Sequence, residues 1–261
     1  MAFPQELVLM AVHAHPGPES TNTGGILAHY ARQGVRVVLI TCTNGEHRAG
    51  PAADGGRVAE LRSACAHLGV SDLELLGYHD SGMTDERRPD AFRDVPVDDV
   101  AARIGALIGR YKPQVVVTYD PEGRYHPDHA HAAAATHRAV AATGIPAKAY
   151  GVALGASYWR GIHDAAVQAG LGDSFAEPES SAEAERVDER TTTTVDVAGV
   201  LDRKQAAILA HASQVGGTWM ERLFAKELPA VLARESYIRT WDRSGAPLPE
   251  RDLFAGVRGE G

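Results

Sequence analysis

The chain has 261 residues, is 44% hydrophobic and carries a formal net charge of −8 with a pI near 5.8. That balance is enough for one sizeable buried core and argues against nucleic acid as a partner, which would call for a basic face. No apolar run approaches the ~20 residues of a membrane span and no basic segment precedes the first apolar run, so a cytoplasmic protein without a membrane partner is expected.

The first apolar run, Leu7 to Val12, leads into His13-Ala14-His15-Pro16-Gly17-Pro18-Glu19 and then a helical segment from Gly25 to Gln33, stopped by Gly34. A strand entering a loop before a helix places that loop at the carboxyl edge of a sheet, where open α/β proteins bind ligands. Imidazole is the commonest metal ligand among side chains, which singles out His13 and His15. Val37 to Ile40 reads as a strand buried on both faces, followed by the polar loop Thr41 to Arg48 with Glu46 in it.

Apolar residues at 58, 61, 65 and 68 trace a helix from Arg57 to Leu68 that Gly69 closes. Cys65 lies on its apolar face, and with Cys42 as the only other cysteine neither a disulfide framework nor a thiolate metal site is indicated. A strand at Leu73 to Leu76 runs into Gly77 to Met83, which carries Asp80, while Thr84 to Asp94 is charged and expected to be exposed.

Val97, Val100, Ile104, Leu107, Ile108 and Tyr111 mark an amphipathic helix before the strand Val115 to Tyr119. The second histidine cluster, Tyr125-His126-Pro127-Asp128-His129-Ala130-His131, opens a helix with Pro127 in its first turn and Gly144 as its stop. Ala149 to Leu154 fits a further strand. The alternation predicts an α/β fold, a Rossmann-like, mostly parallel sheet with helices on both faces and a C-terminal extension. One domain over 1–261 is expected, with its core at 1–155 and a cap or extension at 156–261.

Beyond residue 155 the periodicity weakens. Residues 173–189 hold seven acidic residues against Arg186 and read as a mobile acidic loop. Thr191 to Val197 suits a strand and Val200 to Ala210 a helix ending near His211. Trp219, Phe224, Tyr237 and Trp241 are expected in a cap over the site or a packing appendage.

Six segments together resemble the LmbE-like (PIG-L) family of zinc-dependent N-deacetylases and amidases, nearest its mycothiol S-conjugate amidase and mycothiol-precursor deacetylase branch. They are His13-Ala14-His15-Pro16, Thr41-Cys42-Thr43 with Gly45-Glu46, Asp80-Ser81-Gly82, Tyr119-Asp120-Pro121, His126-Pro127-Asp128-His129 and Leu209 to Gln214. The family's first loop reads Ala-His-Pro-Asp-Asp-Glu, in which the first Asp is the general base and the His and second Asp bind zinc. Here Gly17 stands at the base position and Pro18 at the ligand position, and neither side chain coordinates a metal or accepts a proton.

The resemblance implies His15 and His129 as metal ligands, with Glu19 or His13 as the substitute third group. It implies His126 as the stabiliser of the tetrahedral intermediate; Asp128 or Glu46 is expected as the proton carrier, and Arg57, Asp80, Tyr125 and His211 as substrate-binding residues, Asp80 because it belongs to a fourth loop on the same edge, where a turn role is the alternative. Zinc is the implied cofactor, and two neutral ligands predict that it binds weakly or not at all. The activity implied is hydrolysis of an amide on an N-acyl amino sugar or a related small polar thiol conjugate, with that small molecule as the partner. The alternative is a pseudoenzyme, or a metal-free biosynthetic or binding protein, that keeps the pocket but lacks the usual zinc and base. If the two substitutions are the cause of lost activity, restoring aspartates at 17 and 18 is expected to return both ligand and base.

Overall fold

The computed structural model describes residues 6–46, 56–83, 90–123, 126–172, 182–225 and 228–258. Its centre is a seven-stranded sheet. The parallel strands are β1 (Val8–His13), β2 (Arg36–Thr43), β3 (Asp72–Tyr78), β4 (Val115–Tyr119) and β5 (Lys148–Val152). Two strands from the last third of the chain, β6 (Thr193–Asp196) and β7 (Arg234–Asp242), complete it in the order β3-β2-β1-β4-β5-β7-β6, and β7 is antiparallel to both β5 and β6. Chain order reverses between β1 and β4, so the loops after these two strands diverge and leave a crevice at the carboxyl edge.

Every residue of β1, β4 and β5 is buried, because both faces of the sheet are covered. Successive side chains of β1 go to opposite layers. Leu9 and Ala11 pack with Ile26 and Leu27 of α2 (Gly24–Arg32), Leu61 and Cys65 of α3 (Gly56–Leu68) and Ala207 in Leu201–Ala210. Val8, Met10 and Val12 pack with Val100 and Ile104 of α4 (Val97–Tyr111) and Ala132 and Ala139 of α5 (Pro127–Thr143).

The single-turn helix α1 (Pro18–Thr21) stands between β1 and α2. The remaining helices are α6 (Ala156–Gln168), α7 (Ala182–Arg190), α8 (Leu201–Ala210), α9 (Ala212–Val215) and α10 (Trp219–Phe224). A third apolar cluster joins Ile162 of α6, Ile208 of α8, Val215 of α9 and Phe224 of α10.

The structure departs from the sequence expectations in three places. Tyr237 and Trp241 are not in a cap but on β7, inside the sheet, which therefore runs past residue 155. Residues 173–181 lie outside the described residues, whereas 182–189 of the expected acidic loop form most of α7. Tertiary contacts hold that helix: Val187 is buried, Asp188 accepts the Ser157 amide at the start of α6, and Arg190 pairs with Asp120 at 2.9 Å. In the segment expected to be exposed, residues 84–89 lie outside the described residues, and Phe92 is buried against His131 and Tyr78.

The last strand also secures the beginning of the chain. The buried Glu235 carboxylate of β7 accepts the Gly25 and Ile26 amides at 2.7 and 2.9 Å, satisfying free donors at the start of α2, and pairs with buried Lys204 at 2.7 Å. A Cβ at position 25 would come within 2.6 Å of that carboxylate, which explains the glycine. Lys148 of β5 and Glu250 form a second fully enclosed ion pair, which ties the C-terminal segment to the sheet.

Candidate functional site

β1 ends at His13, and the chain crosses the carboxyl edge through His15, Pro16 and Gly17. Gly17 has φ +119, a conformation that side-chain-bearing residues rarely adopt. Pro18 then takes the first helical position of α1, where its missing N–H costs nothing. The loop is braced from below: Glu19 Oε2 accepts the Gly17 amide at 2.6 Å, and Glu19 Oε1 meets Ser20 Oγ at 2.7 Å and His211 Nε2 at 2.6 Å.

The opposite wall comes from the loop after β4. His126 is the N-cap of α5, and its Nδ1 accepts the Asp128 amide at 3.1 Å. A neutral His126 ring therefore carries its proton on Nε2. Asp128 sits in the first helical turn, where the helix dipole favours a carboxylate. Tyr119, at the end of β4, spans the crevice by accepting the Ala14 amide at its hydroxyl, 3.0 Å away.

Side chains from three loops converge here. His15 Nε2 lies 2.9 Å from Asp128 Oδ2 and 3.5 Å from Asp80 Oδ1, and the Ser81 amide donates to the same Asp128 oxygen at 3.0 Å. His15, Asp80, His126 and Asp128 each offer a donor atom within 4.8 Å of the others. Burial alone would push the His15 pKa down, but the hydrogen bonds to Asp128 and Asp80 outweigh it and the net shift is upward. Burial would likewise raise Asp80 and Asp128, and their contacts with His15 hold both below the ordinary carboxylate value.

The expected site residues have different surroundings. His129 adjoins the group, its ring centre 5.4 Å from that of His15, and stacks on Tyr119 with centroids 4.1 Å apart. Burial first, then the neighbouring imidazoles, push its pKa down to about 2, so it stays neutral. The structure turns Glu19 and His13 to other partners. Glu19 is occupied by His211, Ser20 and the Gly17 amide, while His13 Nε2 bonds Thr23 Oγ1 at 2.9 Å and burial lowers its pKa to about 4. Neither belongs to the four-residue group.

The Arg57 guanidinium donates to the backbone carbonyls of Pro16 and Gly45, clamping the first two loops together. Glu46 Oε2 accepts the Asp80 amide at 3.2 Å. Tyr125 lies outside the described residues.

The group forms one end of a cleft of roughly 390 Å³ whose polar lining includes His15, Arg57, Asp80, His126, His129 and His211. The far wall is apolar, from Ile208, Val215 and Met220 on α8 to α10. Sequence reasoning did not single out these three, nor the Ser81 amide. An apolar residue lining a site looks like any core residue, and a backbone donor has no side-chain signal.

Two carboxylates and two imidazoles are donors suited to zinc. One carboxylate oxygen, Asp128 Oδ1, is buried with no hydrogen-bond partner among the described residues, as expected of an acceptor with a ligand still to receive. On both counts the residues fit a divalent metal.

A deacetylase for 1D-myo-inositol 2-acetamido-2-deoxy-alpha-D-glucopyranoside from Acidothermus cellulolyticus is 40% identical to this chain, covering 95% of it and 94% of the relative. A deacetylase of the same name from Actinosynnema mirum is 39% identical, covering 96% and 97%. Two solved structures share the fold. The 4-carboxy-2-hydroxymuconate hydratase of Pseudomonas putida has a TM-score of 0.61 and 18% identity over 93% of this chain and 99% of its own. The N,N'-diacetylchitobiose deacetylase of Pyrococcus horikoshii has a TM-score of 0.56 and 16% identity over 83% and 74%. A hydratase and a deacetylase on one fold leave the choice of reaction to the residues of the site. The family model described as GlcNAc-PI de-N-acetylase matches residues 10–140, and with relatives near 40% identity along almost the whole length, the chain belongs to the PIG-L family.

Proposed function

We propose that this protein removes the N-acetyl group from a small acetylated amino sugar, with an N-acetylglucosaminyl-inositol as the first candidate substrate. The observation that carries the reading is the His15, Asp80, His126 and Asp128 group at the end of an open cleft, in a chain whose near full-length relatives are named as deacetylases of that compound.

A divalent metal held by His15, Asp80 and Asp128 would polarise the amide carbonyl and lower the pKa of a water. The protein's other residues orient and shield the reaction. His126, fixed by the Asp128 amide on Nδ1, presents Nε2–H to the oxygen that becomes negative in the tetrahedral intermediate. No carboxylate at position 17 takes the proton of the attacking water, which passes to solvent in the open cleft, and the leaving amine nitrogen takes up a proton from the same solvent. Arg57 keeps the first loop at its distance from the second by holding the Pro16 and Gly45 carbonyls. Ile208, Val215 and Met220 shield the far side of the cleft from water.

Position 17 supplies no base, so turnover is expected to be slower by about 10²- to 10⁴-fold than in a site with a carboxylate there. The test is release of free amine from N-acetylglucosaminyl-inositol by the zinc-supplemented protein. Amine formation that depends on His126 supports the reading, and no amine above the metal-only blank overturns it.

A further inference from the structure

We propose that Asp80 supplies the anionic metal ligand that the first loop, with Pro18 in the ligand position, lacks. The inference rests on the metal-dependent reading above and gives Asp80 a different task from the substrate contact that its loop position suggests.

Three observations carry it. Asp80 Oδ1 approaches the same imidazole nitrogen, His15 Nε2, that contacts Asp128 Oδ2, so three donors from three loops point at one another. Two carboxylates and an imidazole are enough protein ligands for a catalytic divalent ion and leave a further position open. All three side chains are at least nine-tenths buried, and a carboxylate pair enclosed in this way needs a cation between its members. Asp128 Oδ1 is buried with no hydrogen-bond partner among the described residues.

The Asp80 carboxylate is also oriented as a ligand must be. Its Oδ1 accepts the Gly82 amide at 2.9 Å, and its own amide is held by Glu46 Oε2 at 3.2 Å. Glu46 is then a positioning residue, an outer carboxylate that fixes the backbone bearing the ligand. The two groups expected to substitute for the lost aspartate do not compete, because Glu19 is bound to His211 and His13 to Thr23.

The test is metal affinity and spectroscopy on the full-length protein, independent of turnover. Zinc is titrated against a competing chelator, and cobalt(II) is used as the optical probe, for the unmodified protein, Asp80→Asn and Asp80→Glu. One equivalent of metal in the unmodified protein, an affinity at least about 100-fold lower for Asp80→Asn, a changed cobalt spectrum and partial recovery in Asp80→Glu are expected. Thermal melting of the metal-free proteins separates ligand loss from unfolding.

Equal affinity and an unchanged cobalt spectrum in a folded Asp80→Asn protein overturn the inference. So does an unmodified protein that takes up no metal. If the metal results are as expected but the amine assay is blank, the ligand assignment stands and the deacetylase reading falls.

Discussion

His15 Nε2 and Asp128 Oδ2 meet at 2.9 Å although 113 residues separate them, one side chain from the loop after β1 and the other from the first turn of α5. The contact closes the crevice at the point where strand order reverses, and it is enclosed on all sides. A buried acceptor that loses its partner costs about 1–3 kcal/mol. His15→Ala is therefore expected to destabilise the metal-free protein by that amount in urea denaturation. It should also remove metal binding.

Gly17→Asp puts a carboxylate at the family's base position but on a backbone with φ +119. Space is no obstacle, since among the described residues a Cβ there meets the Arg57 guanidinium at 4.0 Å and nothing nearer. The conformation is the obstacle, and holding a non-glycine residue in such a region costs about 1–3 kcal/mol. The variant should melt at a lower temperature and gain little activity, because relief of the strain moves the loop. A gain in amine release of more than tenfold at unchanged melting temperature would show that the loop accommodates the aspartate as it stands.

Glu19→Gln tests the brace beneath the same loop. It removes charge from a fully buried carboxylate that holds His211, Ser20 and the Gly17 amide. Burial opposes the charged form of Glu19, but hydrogen bonding to His211 more than compensates, so its pKa is lowered. A loss of about 1–3 kcal/mol in stability is expected from the weakened network. Metal affinity measured in parallel should change little if the proposed ligands hold the metal, because Glu19 is not among them.

Lys204→Met leaves Glu235 buried without its cation. Removing one member of an enclosed pair costs about 3–5 kcal/mol. The loss should appear in chemical denaturation, and because Glu235 also caps α2 through Gly25 and Ile26, hydrogen exchange at those two amides should rise more than in α4.

Chelation of the metal should abolish amine release, and added zinc or cobalt(II) should restore it. Full activity after exhaustive chelation, with metal content checked by elemental analysis, would exclude the metal-dependent reaction.

Local pattern made much of this molecule legible. Continuous apolar runs at 37–40 and 115–117 are what a strand covered on both faces requires, and β2 and β4 lie there with both faces covered. His15, His126 and Asp128 stood out because each lies in the loop or helix start that follows a strand run, and the carboxyl edge gathers such loops. The helix α7 was not legible, since Val187 is its buried residue and its ties include Asp120, Glu122 and Ser157, far away in the chain. Nor was β7 recognisable as part of the sheet, because a returning antiparallel strand has no crossover helix to announce it.

The sequence by itself determined the α/β alternation, the loops that hold polar chemistry, and the absence of a carboxylate at positions 17 and 18, because periodicity and side-chain identity are local properties. Only the tertiary structure decided which groups face one another. It set Asp80 rather than Glu19 against His15, gave Glu19 to His211, and brought Glu235 to the start of α2. Each of these contacts joins residues tens to hundreds of positions apart, and their partners are chosen by how buried charges find compensation once the sheet has closed, which no local pattern records.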